Sequence, residues 1–178
     1  LDASIIKKAD SLSVIGRAGV GINNVDISAA TRKGVVVMNT PDANTISAAE
    51  HTLALLLALS RNVSIGHHSL LAGNWDRHKF VGSEIRNKTL GIVGLGKIGR
   101  EVMQRAQGFG MKIIGYDPFI KEDMFRSDEI KLLELDDLIK KSDFITVHIP
   151  LTTNTENLFD YEMLSKMKKE ARIINVAR

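Results

Sequence analysis

The chain has 178 residues, 44% of them hydrophobic and 25% charged, with a formal net charge of +3; this is an ordinary globular composition, long enough for one full domain and part of another. Basic residues are spread along the chain rather than gathered into a nucleic-acid surface, and the absence of cysteine excludes disulfides and thiolate metal sites and fits a reducing, cytoplasmic setting. The most apolar run, Leu53 to Leu59, falls far short of the roughly 20 residues that span a bilayer and is bounded by His51 and Arg61.

The opening LDASIIKKAD carries no signal-peptide pattern and no initiator methionine. It reads as the middle of a helix, and the closing ARIINVAR as a buried strand cut short, so both ends are expected to be truncation points. Up to Pro41 the pattern is strand (Leu12 to Ile15), glycine-rich turn (Gly16 to Gly21), helix, strand (Val35 to Met38). Asp26 suits the N-cap of that helix and Gly34 its C-terminal stop. Residues 1–41 thus read as the end of a smaller α/β domain.

Residues 42–86 follow as a helical segment. Asn44 or Thr45 can cap a long helix, and Ser47 with Glu50 has capping-box spacing. Its middle is apolar on nearly every face, so it needs cover on more than one side, between domains or between subunits. A shorter helix through Ser69 and Leu71 ends near Gly73, before a polar stretch with Trp75.

From Asn87 onward strand and helix alternate. Thr89 to Val93, Lys112 to Tyr116, Asp143 to His148 and Arg172 to Val176 read as strands, with helices around Ile98 to Phe109 and Leu135 to Lys141. The strands are nearly continuous apolar runs, as parallel strands buried on both faces require. The expected fold class is therefore α/β: a Rossmann-like doubly wound parallel sheet over residues 87–178, beside part of a smaller, flavodoxin-like α/β domain.

Gly94-Leu95-Gly96-Lys97-Ile98-Gly99 matches GxGxxG between a strand and a helix, the context that gives this motif meaning. Gly94 permits the tight turn, Gly96 removes a side chain where a diphosphate would approach, and Gly99 lets the helix pack close to the strand. The amides of Lys97 and Ile98 would then face the phosphates. The other reading of the loop is a glycine-rich turn without a ligand.

The next strand ends at Asp117, 18 residues past Gly99. A carboxylate there can accept from both adenosine ribose hydroxyls and repels a 2′-phosphate, which favours NAD over NADP. The competing reading is a turn aspartate before Pro118. Among the five histidines, His148 closes a strand on the cofactor edge; a structural role is the commoner one at such a position, and a catalytic one the alternative. No metal-binding spacing appears.

The segments GRAGVGINNVDISAATRKGVVVMNTPDANTISAAEHT, NKTLGIVGLGKIGREV, GYDP, DFITVHIPLT and INVAR occur here in the order and spacing of the D-isomer-specific 2-hydroxyacid dehydrogenases. The chain resembles that family over essentially its whole length. The resemblance implies that the Gly19-Val20-Gly21 turn offers backbone N–H groups to the substrate carboxylate, with Val20 also near the nicotinamide, where its apolar side chain offers no hydroxyl. It places Asn44 at the mouth of the cleft. Lys97, Ile98 and Asp117 would hold the cofactor, Ile149 and Pro150 line the nicotinamide side, and Val176 and Ala177 the far end of the pocket. Arg178 would be the catalytic arginine, orienting the carboxylate and polarising the C2 oxygen.

GRAG at Gly16 to Gly19, ATRKG at Ala30 to Gly34 and the stretch from Asn74 to Phe80 narrow the resemblance to members acting on D-3-phosphoglycerate, oxidised to 3-phosphohydroxypyruvate at the start of serine biosynthesis. Arg17 would then neutralise the substrate phosphate, the other reading being a surface residue. The family's acid–base histidine and glutamate lie beyond Arg178, so the isolated chain is expected to be inactive. Alternatives are a glyoxylate or hydroxypyruvate reductase, a non-catalytic NAD-binding module of the same fold, and an α/β domain without a cofactor. The long apolar helix and the Trp75 segment point to a homodimer or higher homo-oligomer; no metal, membrane or nucleic-acid partner is implied.

Overall fold

A computed structural model describes residues 1–121, 124–125 and 130–177 of the chain. It divides into two compact units, Leu1–Ile46 and Ser47–Arg178.

In the small unit, α1 (Ala3–Lys8) and α2 (Ile27–Arg32) accompany two short strands, β1 (Val14–Gly16) and β2 (Val36–Met38). The strands pair in parallel, Val14 opposite Val36 and Gly16 opposite Met38. Ile6, Ile15, Val25, Ala29, Ala30 and Val35 form its core. The N-terminal residues do not run mid-helix: Asp2 is an N-cap whose carboxylate accepts from the Ser4 and Ile5 amides, so α1 starts at Ala3. Asp26 caps α2 through the Ala29 amide, and Gly34, at φ +73°, ends it, as the residue types predict.

Helix α3 (Thr45–Ser60) turns Ala49, Leu53 and Leu56 into the core of the large unit and leaves Leu55 and Leu59 exposed. Ser47 and Glu50 fall inside it, so their spacing does not mark its start. Helix α4 (Val63–Leu71) has no buried residue, and a 3-10 turn (Arg77–Phe80) follows.

The remainder is β3 (Thr89–Val93), α5 (Lys97–Gly108), β4 (Lys112–Tyr116), β5 (Lys131–Leu132), α6 (Leu135–Lys141), β6 (Phe144–Val147), α7 (Tyr161–Ser165) and β7 (Arg172–Asn175). All pairings are parallel and the strand order is β5-β4-β3-β6-β7. This is the doubly wound sheet that the alternation predicts. One face packs against α3 and α5 through Leu90, Ile92, Leu95, Val102 and Phe144, the other against α6 through Val93, Leu138, Ile139 and Ile145. Each fully buried Leu or Ile of this kind stabilises the fold by roughly 1.5–3 kcal/mol.

Glycine inside the sheet has a packing cause. A Cβ at Gly91 would meet Ser142 Oγ at 2.2 Å, and one at Gly115 would meet Ile130 Cδ1 at 2.6 Å and Leu95 Cδ1 at 2.8 Å. Those two positions let α6 and the loop after β3 lie flat on the sheet. Among the described residues no helix is long and apolar enough to cross a membrane, and no group of three or more His, Cys, Asp or Glu could hold a metal.

Candidate dinucleotide and substrate site

Strand register in the large unit brings several of the candidate residues to one edge of its sheet. Val93 lies opposite both Tyr116 and Val147, and Val147 opposite Asn175. The residues that follow, Gly94, Asp117, His148 and Val176, therefore come out side by side at the carboxyl edge of the sheet. The strand order reverses between β3 and β6, so this edge holds the crevice where doubly wound sheets take their ligands.

The glycine loop fits a dinucleotide. Gly94 has φ +95°, a conformation strained for any side chain, and a Cβ there would come within 2.9 Å of the His148 carbonyl and of Ile149 Cγ2. A Cβ at Gly99 would fall 2.1 Å from the Gly94 carbonyl oxygen, so only glycine lets α5 begin this close to β3. At Gly96 a Cβ would meet nothing within 4 Å among the described residues, so none of their atoms requires the bare backbone there. Gly96 also caps α5 without any side-chain acceptor, leaving the helix start to backbone groups. Ile98 points its side chain back into the core while Lys97 is exposed, so it is their amides that stand at the helix start.

Asp117 is fixed by two backbone amides. Its Oδ2 accepts from the Leu95 amide and its Oδ1 from the Phe119 amide, both at 2.9 Å. Each carboxylate oxygen can accept a second bond, so two acceptor sites remain for a ribose diol. The turn-aspartate reading and the sugar-binding one are thus compatible, since the Phe119 bond is an Asx turn.

His148 donates its backbone N–H to the Val93 carbonyl (2.7 Å), and its Nε2 pairs with Thr146 Oγ1 (2.8 Å), a side chain with no exposure at all. Burial holds its pKa down at about 4. A neutral imidazole bonded into the sheet side of the edge is a structural histidine.

Beyond it, a groove of about 230 Å³ runs along the ends of β6 and β7. Ile149, Pro150 and Ala177 line it, and Val176 packs on the core cluster that holds α3 and α5. Thr155 and Asn175 also line the groove, and the sequence pattern does not flag them. Thr155 Oγ1 donates to the Pro150 carbonyl (2.6 Å) and accepts from the Thr152 amide (2.8 Å), and Asn175 Oδ1 accepts from the Ala177 amide (2.9 Å). No local signal flags Thr155, because its hydroxyl reaches back to Thr152 and Pro150 rather than forward to the amide two residues on that an ST turn uses.

In the small unit, the Arg17 amide donates to the Met38 carbonyl and so anchors the turn to the end of β2. The Gly19 amide donates to the Arg17 carbonyl at 2.9 Å, and the Val20 and Gly21 amides have no backbone acceptor among the described residues. Asn39 Nδ2 donates to the Val20 carbonyl (2.7 Å) and holds the turn open. Arg17 carries a buried guanidinium nitrogen, NH1, with no hydrogen-bond partner among the described residues. A charged donor left in that state loses free energy that an anion would restore. Asn44 is exposed in the turn before α3. Arg178 lies outside the described residues.

A family model described as "D-isomer specific 2-hydroxyacid dehydrogenase, NAD binding domain" matches residues 53–178. The chain is 50% identical over 175 residues to a D-3-phosphoglycerate dehydrogenase of Methanocaldococcus jannaschii, covering 98% of this chain and 33% of that protein. It is 51% identical over 176 residues to one from Synechocystis, covering 98% and 31%. It thus spans about a third of the length of these curated relatives. Among solved structures, an NAD-dependent formate dehydrogenase of Staphylococcus aureus in complex with NAD superposes with a TM-score of 0.89 at 37% identity, covering all of this chain and 54% of that one. With the glycine loop, the Asp117 carboxylate and the sheet order already in hand, the chain belongs to the D-isomer-specific 2-hydroxyacid dehydrogenases and carries their NAD-binding domain.

Proposed function

We propose that this chain is the cofactor-binding part of an enzyme that oxidises D-3-phosphoglycerate to 3-phosphohydroxypyruvate with NAD, the entry step of serine biosynthesis. The observation that carries the substrate is the buried, unpartnered NH1 of Arg17 beside the Val20–Gly21 turn. A substrate with a carboxylate and a phosphate needs one set of peptide donors and one further cation, and this turn has both. The names of the most similar relatives support the same substrate.

In this reading the bound NAD supplies the hydride acceptor. The Gly96, Lys97 and Ile98 amides receive its diphosphate and Asp117 its adenosine ribose. The wall of Ile149, Pro150 and Ala177, braced by Thr155 and Asn175, keeps water from the nicotinamide side. Val20 and Gly21 orient the carboxylate, Asn44 stands by the cleft, and Arg178 polarises the C2 oxygen.

A homodimer formed through residues 42–86 belongs to the same proposal. Leu55 and Leu59 on α3, Leu70 and Leu71 on α4, Trp75 and Val81 are all exposed, apolar side chains that a subunit contact would cover.

The test is a substrate panel on the full-length protein. D-3-phosphoglycerate should exceed D-glycerate and glyoxylate in kcat/KM, and Arg17→Met should raise KM for the phosphorylated acid about ten-fold or more, the loss of one charge-assisted contact. A preference for glyoxylate or hydroxypyruvate, untouched by that variant, would replace this reading with the reductase one.

A further inference from the structure

Leu95 occupies the middle of the glycine loop, between two residues with no side chain to restrict them. Glycine populates more backbone conformations than any other residue, so the peptides on either side of Leu95 need fixing from outside. Both are fixed. The Leu95 N–H donates to Asp117 Oδ2 at 2.9 Å, and its carbonyl accepts from Arg100 Nε at 3.0 Å. The Leu95 side chain, fully buried, is wedged against Gly115. The Arg100 guanidinium lies over the Phe125 ring, 5.1 Å from its centroid, which holds the arginine in turn.

A trans peptide sets N–H and C=O on opposite sides of its plane. By holding the Leu95 oxygen, Arg100 aims the Gly96 N–H the opposite way. That N–H finds no protein acceptor among the described residues. The same residue's other peptide steers the carboxylate that faces the sugar.

We propose that Arg100 is a positioning residue for the dinucleotide: by gripping the Leu95 carbonyl it sets the Gly96 donor and, through the Leu95 amide, the Asp117 carboxylate. The proposal rests on the reading of this loop as the diphosphate site. Arg100 need not touch the ligand. It couples affinity for the diphosphate to discrimination at the ribose, two properties usually assigned to separate residues.

Titration of NADH and NADPH against this chain, followed by nucleotide fluorescence, tests it with Arg100→Met. NADH affinity should fall about ten-fold, as expected for one charge-assisted hydrogen bond, and the NADPH-to-NADH ratio of dissociation constants should shrink about three-fold because Asp117 is no longer held by a fixed amide. A residue that merely stabilises α5 would weaken both nucleotides alike and leave the ratio unmoved, which overturns the proposal. So does an NADH affinity within about two-fold of the unsubstituted chain, a difference too small for one such bond. If Arg100→Met loses its cooperative unfolding transition, Arg100→Gln, whose amide ends short of the Leu95 carbonyl, is read by the same criteria. Failure of the unsubstituted chain to bind NADH at all would instead remove the dinucleotide reading on which this rests.

Discussion

Gly99 faces the carbonyl oxygen of Gly94 so closely that a Cβ at position 99 would lie 2.1 Å from it, whereas a Cβ at Gly96, three residues earlier, would meet nothing. Two glycines of one motif thus differ in what a side chain would meet. Gly99→Ala must push α5 off the sheet and should destabilise the large unit by about 1–3 kcal/mol, the usual penalty for overpacking. Gly96→Ala should change stability by less than about 1 kcal/mol, the scale of a helix N-cap substitution, yet weaken NADH binding at least about ten-fold, since the new methyl occupies the ligand's approach. Chemical denaturation and nucleotide titration of both variants check the pair. Equal stability loss in the two would sink the distinction.

Much of this was legible in the residues because it rests on local rules. The glycine spacing, Asp26 and Gly34 as helix boundaries, and the apolar runs of β3, β4 and β6 follow from backbone strain, capping and double-sided burial. What escaped depends on contacts distant in sequence. Arg100 is one of many basic residues until its Nε is seen on the Leu95 carbonyl. The unsatisfied nitrogen of Arg17 is a property of burial, which a single residue type does not encode. Strand β5 and helix α7 have two and five residues, too short for periodicity to rise above noise.

His148 gives the fold a defined acid sensitivity. Its pKa is about 4 when folded and 6.5 in the reference state, with burial as the cause. Between those values the unfolded chain binds more protons than the folded one, so stability rises with pH across that window and is lost as pH falls from 6.5 towards 4. Going from pH 7 to pH 5, the imidazole should remove about 2 kcal/mol of unfolding free energy, at roughly 1.4 kcal/mol per pKa unit. His148→Gln should be less stable at pH 7, because it disturbs the Thr146 bond, but should lose about that much less on acidification. Urea unfolding at both pH values measures the difference. Parallel acid sensitivity in the two proteins would contradict a buried neutral imidazole.

In the small unit, Lys33 Nζ donates to the carbonyls of Ile6, Lys7 and Ala9 at 2.7, 2.9 and 2.8 Å, closing the end of α1 with a single cation. A six-residue helix is far too short to persist alone, so this contact and the burial of Ile6 hold it. Lys33→Met should destabilise the small unit by about 1–2 kcal/mol, the worth of charged hydrogen bonds at a partly exposed helix end. Hydrogen exchange should show faster exchange at the α1 amides and none at β3. An unchanged α1 would mean that its core side chains suffice.

Homodimerisation makes the last prediction, and the exposed surface decides where to aim. Helix α4 buries none of its residues, Leu71 is 72% exposed and Trp75 77% exposed, and α3 presents Leu55 and Leu59 one turn apart. Charged substitutions there cannot disturb a core to which they do not belong, so an effect on assembly reads out the surface alone. Leu71→Asp with Trp75→Asp should weaken self-association by at least about 100-fold, since two central apolar anchors commonly carry 2 kcal/mol or more each. Their circular dichroism should match that of the unsubstituted chain. Tyr161, 88% exposed at the start of α7, lies outside residues 42–86, and Tyr161→Asp should leave association unchanged. Sedimentation velocity across a concentration series distinguishes these outcomes. A double variant that still sediments as the unsubstituted chain does would exclude the Leu71–Trp75 surface from the subunit contact, while a Tyr161→Asp variant that dissociates would move the contact to the edge beside α7.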